Sequence, residues 1–334
     1  MVLRKLAVFL IGLFGALHLG AQDWHFSQFQ ANPQTVSPAL TGLFNGDLRV
    51  AMHYRNQWNF AARFNTFSAT ADGALVTFRN NDYLAAGIQF LGDRAGDLNY
   101  GTSQGNATLA YHKSLSNLVS HYLSAGFAGG YARRSVDLSN VVAFDAEFGA
   151  GAIPTQFNFA DISMGLNWYL ATEENVFYYL GVGLYHLNRP RQSFISKGAD
   201  RMIMRQTLYG GLSLALSPSV FLQPSAVYMV QGPHQQINLG TSLKFWMNPE
   251  QKLYQGEKAF SVGFWYRYAD ALIVQTRFDY EDLNFGVSYD FNLSKLANAS
   301  SGQGGPEISI IYMLNKGRGS AGNRNQRLLC PTFF

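Results

Sequence analysis

The residue types that most often carry chemistry are scattered along this sequence. Its histidines fall on separate predicted strands and turns, and no pair has the spacing of a helical metal site; they include His53, His112, His121, His186 and His234. The acidic pairs Glu173-Glu174 and Glu281-Asp282 fall in predicted turns, where solvated charge is the ordinary explanation. We therefore predict no catalytic, cofactor-binding or metal-ligating residues, no cofactor and no enzymatic activity.

The amino terminus has the features of a secretory signal peptide. Arg4 and Lys5 precede an apolar stretch that ends in the small residues Gly20 and Ala21. That stretch is shorter than the about 20 residues that a membrane-spanning helix needs. We expect residues 1–21 to be removed. The single cysteine, Cys330, excludes a disulfide within the chain, so it is either a passive thiol or one that pairs with another chain.

Composition favours a membrane barrel over a soluble protein. Charged residues make up 14% of the chain and aromatic residues 15%, whereas soluble domains carry about 25% charged residues. A formal net charge of +4 and dispersed Lys and Arg residues give no indication of nucleic-acid binding. Beyond residue 21 there is no apolar run long enough for a helical span.

Alternation of apolar and polar residues is the main structural signal. Leu48, Val50, Met52 and Tyr54 alternate with polar neighbours, and segments 236–247 and 284–292 repeat the pattern. Most such segments reach about 10 residues, as membrane-crossing strands require. Aromatic residues gather near their ends, as expected at membrane interfaces, and ordinary core packing is the alternative; they are Trp58, Phe60, Trp168, Tyr169, Trp265, Tyr266 and Tyr268.

Fourteen strands are predicted, and an even number suits a closed antiparallel up-and-down β-barrel. The predicted ranges are 47–58, 66–78, 83–93, 100–115, 120–135, 159–170, 176–188, 203–216, 219–231, 235–247, 259–268, 271–280, 283–292 and 305–314. Both termini should then face the periplasm, with short turns there and longer connections outside. Segments 136–158, 189–202 and 293–304 are the predicted external connections. Segment 248–258 is too long for this rule, which indicates either a wrong boundary or an extended turn.

An ordered series of short segments resembles the PorP/SprF family of type IX secretion proteins from Bacteroidetes. It begins with His25-Phe26-Ser27-Gln28-Phe29, Asn32-Pro33 and Ser37-Pro38-Ala39-Leu40-Thr41-Gly42. It continues with Tyr54-Arg55-Asn56-Gln57-Trp58, Ala110-Tyr111-His112-Lys113, Gly181-Val182-Gly183-Leu184-Tyr185-His186-Leu187-Asn188-Arg189-Pro190, Trp265-Tyr266-Arg267 with Asp270-Ala271, and Gly286-Val287-Ser288-Tyr289-Asp290.

The resemblance implies an outer-membrane barrel that assists export or surface anchoring of cargo proteins. The implied cargo carries C-terminal sorting domains and includes adhesins, some of them used in gliding motility. Implied partners are outer-membrane lipid and the periplasmic ring or motor components of the same apparatus. A passive porin or small-molecule transporter is the alternative, because polar residues such as Arg49, Arg55, Gln236, Asn238 and Lys244 could line a pore.

Four regions are expected: the signal peptide 1–21, an N-terminal segment 22–46, the barrel 47–314 and a basic tail 315–334. Segment 22–46 could contact periplasmic partners or plug the lumen. Segments 136–158 and 189–202 are candidates for cargo contact, or they fold over the barrel mouth. The tail either docks a partner or is simply solvated.

Overall fold

The computed structural model describes residues 23–57, 64–116, 119–137, 155–172, 176–194, 200–247, 257–294 and 302–314, with only the backbone at 257. Fourteen strands of nine to sixteen residues account for most of them. They are β1 (Leu48–Gln57), β2 (Phe64–Thr77), β3 (Tyr83–Ala95), β4 (Tyr100–Ser114), β5 (His121–Ser135), β6 (Gln156–Ala171), β7 (Phe177–Tyr185), β8 (Arg205–Ser217), β9 (Val220–Gln231), β10 (His234–Trp246), β11 (Glu257–Arg267), β12 (Ala271–Glu281), β13 (Leu283–Asn292) and β14 (Gln303–Leu314).

The strands form one closed antiparallel barrel. Each strand pairs with its neighbours in the chain, and β1 closes the circle against β14, where Leu48 pairs with Leu314 and Arg55 with Glu307. The prediction of a fourteen-stranded barrel is confirmed. The largest boundary errors are at β6, whose pairing starts at Gln156, and at β7, which ends at Tyr185 because His186 adopts a positive φ of 59°. No helix among the described residues is long and apolar enough to cross a membrane.

The two faces of the wall differ as the alternation predicts. On β1, Arg49, His53 and Arg55 are buried inside, whereas Met52 and Tyr54 are exposed on the outer surface. The aromatic residues predicted at the interfaces divide between the two faces. Trp168, Tyr266 and Tyr268 point outward, but the prediction was wrong for Tyr169 and Trp265, which lie in the core of the lumen. Trp58 and Phe60 lie outside the described residues.

The barrel has two openings. We call the one where β1 begins and β14 ends the terminal opening, and the one at Gln57 and Gln303 the far opening. Residues 218–219 and 282 are short connections at the terminal opening, within one residue of the short turns that the sequence predicts at 217–218 and 281–282. β10 ends at Trp246 and β11 begins at Glu257, so the predicted strand boundaries on both sides of this connection are correct to within two residues; residues 248–256 lie outside the described residues.

Residues 23–47, which we call the plug, run through the lumen from the far opening to the terminal opening. Three short 3-10 helices shape the plug: Phe29–Ala31, Pro33–Thr35 and Pro38–Leu40. Proline is favourable at the first position of a helical turn, and the Ser37 hydroxyl accepts a hydrogen bond from the Ala39 N–H at the third. All residues from Phe26 to Phe44 are buried.

Gly126 of β5 provides the space in which the third 3-10 helix packs. A Cβ at this position would lie 2.3 Å from the Pro38 carbonyl carbon, whereas a Cβ on Gly129 of the same strand would meet nothing within 4 Å. We expect Gly126→Ala to lower the free energy of unfolding by about 1–3 kcal/mol through overpacking. Gly129→Ala is the matched control and should change it by less than about 0.5 kcal/mol. Urea unfolding in detergent measures the stability of both variants. Equal losses of stability would contradict the close packing of the third 3-10 helix against Gly126.

Candidate functional site

Three buried histidines contact the plug or a wall residue that holds it. His53 Nε2 lies 2.7 Å from Glu307, His112 Nε2 lies 2.8 Å from the Thr41 carbonyl, and His186 Nε2 lies 2.6 Å from Asp23. No group of three or more His, Cys, Asp or Glu residues in the described part of the chain could hold a metal ion. Gly101-Thr102-Ser103-Gln104-Gly105 has the letters of a nucleophile elbow, but Ser103 faces outward within β4 instead of standing on a strand-to-helix turn.

Glu307 of β14 binds two consecutive amides of the plug. Its carboxylate accepts the N–H groups of Ser27 and Gln28 at 2.8 and 2.7 Å. The Gln28 side-chain amide donates to the Glu307 carbonyl and to Ser288, and Ser309 donates to the Gln28 side-chain oxygen. A charged acceptor shared by two backbone donors gives strong, short hydrogen bonds. The register of the plug is therefore fixed at this point.

A buried ion network surrounds this contact and joins several strands. Arg55 of β1 contacts Asp290 of β13 at 2.7 Å, and Arg267 of β11 reaches the same carboxylate at 2.9 Å. The Ser27 hydroxyl donates to Asp290, and Arg55 donates to the His25 carbonyl. Buried charges persist only when they are paired. The plug thus completes a network that crosses the closing pair of strands.

An apolar cluster holds the middle of the plug. Phe29, Val36, Leu40 and Leu43 are at most 2% exposed. They belong to one cluster with rings from the wall, which include Tyr83, Tyr122, Tyr169, Tyr179, Tyr209 and Trp265. Full burial of such a side chain contributes about 1.5–3 kcal/mol. The plug is therefore part of the folded core, not a loosely placed tail.

The terminal half of the plug is held through its backbone. The Gly42 N–H donates to Asp72 at 2.6 Å, and Asp72 is paired with Arg49 at 2.7 Å. Arg49 also lies 4.7 Å from the centre of the Phe44 ring. Gly42 has a φ of 73°, which favours glycine, and a side chain there would collide with Ala85.

The far end of the plug is held by a cluster around His186. Its two ring nitrogens lie 2.6 Å from Asp23 and 2.9 Å from Asp161, and Arg205 lies 3.4 Å from Asp23. Burial alone would lower the pKa of His186, but the two carboxylates outweigh it and raise the pKa from 6.5 to about 9. Burial would raise the pKa of Asp23, but His186 and Arg205 hold it well below its usual range. This end is therefore fixed by charge.

The raised pKa of His186 makes this contact sensitive to alkaline pH. Because the folded-state pKa lies above the ordinary one, the stabilisation is complete below pH 6.5 and is lost as pH rises through about 9. We expect His186→Gln to cost about 3 kcal/mol at about pH 6 and almost nothing at about pH 10. Urea unfolding of both proteins at the two pH values measures this. A difference that does not depend on pH would contradict the ion pairs.

A polar cavity of about 30 Å³ lies beside the plug. Gln30 of the plug and Ser225, Ser261 and Gln275 of the wall are among its lining residues. This volume has room for about two water molecules and no larger ligand.

Three of the residues considered as pore-lining have partners inside the barrel. Arg49 and Arg55 hold the plug, and Lys244 is paired with Asp279 at 3.0 Å.

Segments that carry the family resemblance meet in this site. Each of the five later segments contributes residues that contact the plug; they are Arg55, His112, Tyr185, His186, Trp265, Arg267, Ser288 and Asp290.

Sequence reasoning missed the acidic residues of the site. The residues missed are Asp72, Asp161 and Glu307. Their position on the polar face of a strand was the signal that could have identified them. A carboxylate on the inward face of a strand needs a partner when the lumen is filled with protein.

Segments 138–154 and 195–199, which belong to the candidate cargo loops, lie outside the described residues, as do the signal peptide and the tail.

Comparisons with known proteins identify a family model and solved structures to which this chain is similar. The family model described as "Type IX secretion system membrane protein PorP/SprF" matches residues 19–312. Among solved structures, the toluene transporter TbuX of Ralstonia pickettii is similar, with a TM-score of 0.50 and 10% identity over 85% of this chain and 94% of that one. The β domain of the Bordetella autotransporter BrkA has a TM-score of 0.40 and 12% identity over 80% and 99%. A search of curated proteins finds no match.

Proposed function

Because this chain belongs to the PorP/SprF family of type IX secretion system membrane proteins, we propose that it is a non-enzymatic outer-membrane component that assists export or surface anchoring of cargo proteins. The cargo would carry C-terminal sorting domains and include adhesins, some of them used in gliding motility. The proposed partners on the periplasmic side of the outer membrane are the ring or motor components of the system.

The plug is the observation that supports this role best. It passes from Asp23, bonded to Gln231 near the far opening, to Gly42, bonded to Asp72 near the terminal opening. Contacts at both ends and in the middle hold it inside the lumen. A barrel closed in this way acts through its surfaces and loops, where it can bind other proteins.

We propose that the terminal opening faces the periplasm, because the short connections 218–219 and 282 lie there and long connections follow β5 and β7 at the far opening. Leu314 is then periplasmic, as predicted for both termini. Asp23, however, lies at the opposite opening. In the proposed orientation, the prediction that both termini face the periplasm therefore suits the end of β14 and not the start of the plug.

The segment between β7 and β8 is the proposed cargo contact. Its described part folds back at the far opening, where Gln192 accepts a hydrogen bond from Arg134, and Phe194 packs against Phe157 with ring centres 4.9 Å apart. These described residues are already packed, so they can present a surface to a partner with little loss of conformational entropy.

Affinity purification of the tagged full chain from mildly solubilised outer membranes, followed by mass spectrometry, tests the role. We expect a large secreted protein with a type IX sorting domain, or periplasmic components of the system, to be recovered. Phe194→Ala should reduce cargo recovery but retain the periplasmic components. An unrelated tagged barrel from the same membranes is the control. Recovery of the chain alone, with cargo expressed, would contradict the role.

A passive porin or transporter is the second candidate. The similar TbuX structure is described as a toluene transporter, but at 10% identity the likeness extends to the fold alone. The plug weighs against an open pore, and a conductance measurement separates the two candidates.

A further inference from the structure

A group of exposed arginines lies on the outer surface of the barrel near the far opening. Arg133 belongs to β5, Arg189 and Arg191 follow β7, and Arg201 precedes β8. All four are exposed. Among described residues 189–194 and 200–205, Asp200 is the one acidic residue. We call these four residues the arginine patch.

The local backbone directs the patch outward. Residues 190–192 and 200–202 form a short antiparallel extension of the wall, in which Arg191 is directly opposite Arg201. Successive side chains on such a ladder point to opposite faces. Because Met202 is buried with Phe159 inside the barrel, Arg191 and Arg201 project to the outside.

The patch continues across the neighbouring strands. Arg133 pairs with Asn158 of β6, and the Asn188 side chain bonds to the adjacent positions Ala160 and Ile162 of β6. The arginines of β5 and of the β7 extension therefore lie at a similar height around the wall.

The apolar outer surface begins directly below the patch. Tyr131 is 61% exposed two residues before Arg133, and Ile203 and Leu208 are exposed below Arg201. Outer-membrane barrels place an apolar band in the hydrocarbon core and aromatic residues at its borders. The patch is thus at the level of the lipid headgroups, whose phosphates suit the guanidinium fork.

We propose that the arginine patch binds the phosphorylated sugar headgroup of an outer-leaflet glycolipid. The choice of leaflet rests on the proposed orientation, in which the far opening is external. Phosphate binding itself requires no cargo or secretion partner, so it can fail or succeed independently of the proposed function.

Binding of bisphosphorylated lipid A to the full chain in a neutral detergent tests this proposal. Microscale thermophoresis should show saturable binding that weakens at high salt. The double variant R191Q/R201Q should bind about tenfold or more weakly. Arg79→Gln, an exposed arginine before β3 at the terminal opening, is the matched control and should stay within about twofold of wild type.

Two further arms complete the test. Dephosphorylated lipid A should bind poorly, and phosphatidylglycerol should bind more weakly than lipid A. Equal binding of wild type and R191Q/R201Q, with the variant shown to be folded by its heat-modifiable migration in gels, would overturn the patch as a phosphate site. The single variant Arg133→Gln repeats the test if the double variant does not fold. Equal binding of phosphatidylglycerol would overturn the assignment to the glycolipid.

Discussion

Replacing Glu307 with alanine is expected to destabilise the barrel by about 3–5 kcal/mol, because removal of one member of a buried ion network leaves the others unpaired. The change would leave the amides of Ser27 and Gln28 without their acceptor and remove the partner of His53. Glu307 is fully buried, so bulk water does not compete for these bonds in the wild type. Urea unfolding in detergent, followed by heat-modifiable migration, measures the loss.

Asp97→Asn is the matched control for this change. Asp97 is an exposed acid in the turn between β3 and β4, and its loss should alter stability by less than about 0.5 kcal/mol. If the two variants unfolded at the same urea concentration, Glu307 would not be an anchor of the plug.

Leu40→Asp is expected to open the lumen. Leu40 is fully buried among the apolar side chains that hold the middle of the plug. An unpaired carboxylate there costs several kcal/mol, and leaving the lumen is the way for the plug to rehydrate it. Wild type should be nearly silent in planar bilayers, and the variant should conduct about an order of magnitude more current or higher.

Asn45→Asp is the corresponding control, because Asn45 lies near the end of the plug, just before β1, and is only partly buried. It introduces the same charge without placing it in the apolar cluster, so it should remain silent. A steady conductance in wild type equal to that of Leu40→Asp would support the passive channel instead.

The barrel was predictable because one local pattern determines it. In β1, β10 and β13 the alternation alone separates the lumenal face from the outer face, and strand length indicates a membrane span. Tyr169 and Trp265 were misplaced because an aromatic residue near a strand end suits either an interface belt or the core. The alternation of apolar and polar residues distinguishes an outward aromatic side chain from an inward one only when the strand register is correct. An error of one residue in the register moves every side chain to the opposite face of the sheet.

The plug could be predicted only as one of two alternatives. Residues 23–47 have no periodic pattern, and their structure depends on contacts with residues distant in sequence, such as Ser27 with Glu307 and Gly42 with Asp72. Local sequence does not reveal which inward side chains meet which plug residues. The direction of the plug, with Asp23 at the far opening, follows from those same contacts.

Chemical cross-linking within the lumen tests the plug most directly. Gln30 of the plug donates a hydrogen bond to Ser225 of β9 at 3.1 Å, so cysteines at these two positions in a Cys330→Ser background should be joined by a short thiol cross-linker in native membranes. Gln223 and Ser242, wall residues whose side chains are 3.2 Å apart, provide the positive control pair. We predict that mass spectrometry will identify peptides linked at both pairs. A link at the control pair without one between residues 30 and 225 would place residues 23–47 outside the lumen and contradict the account.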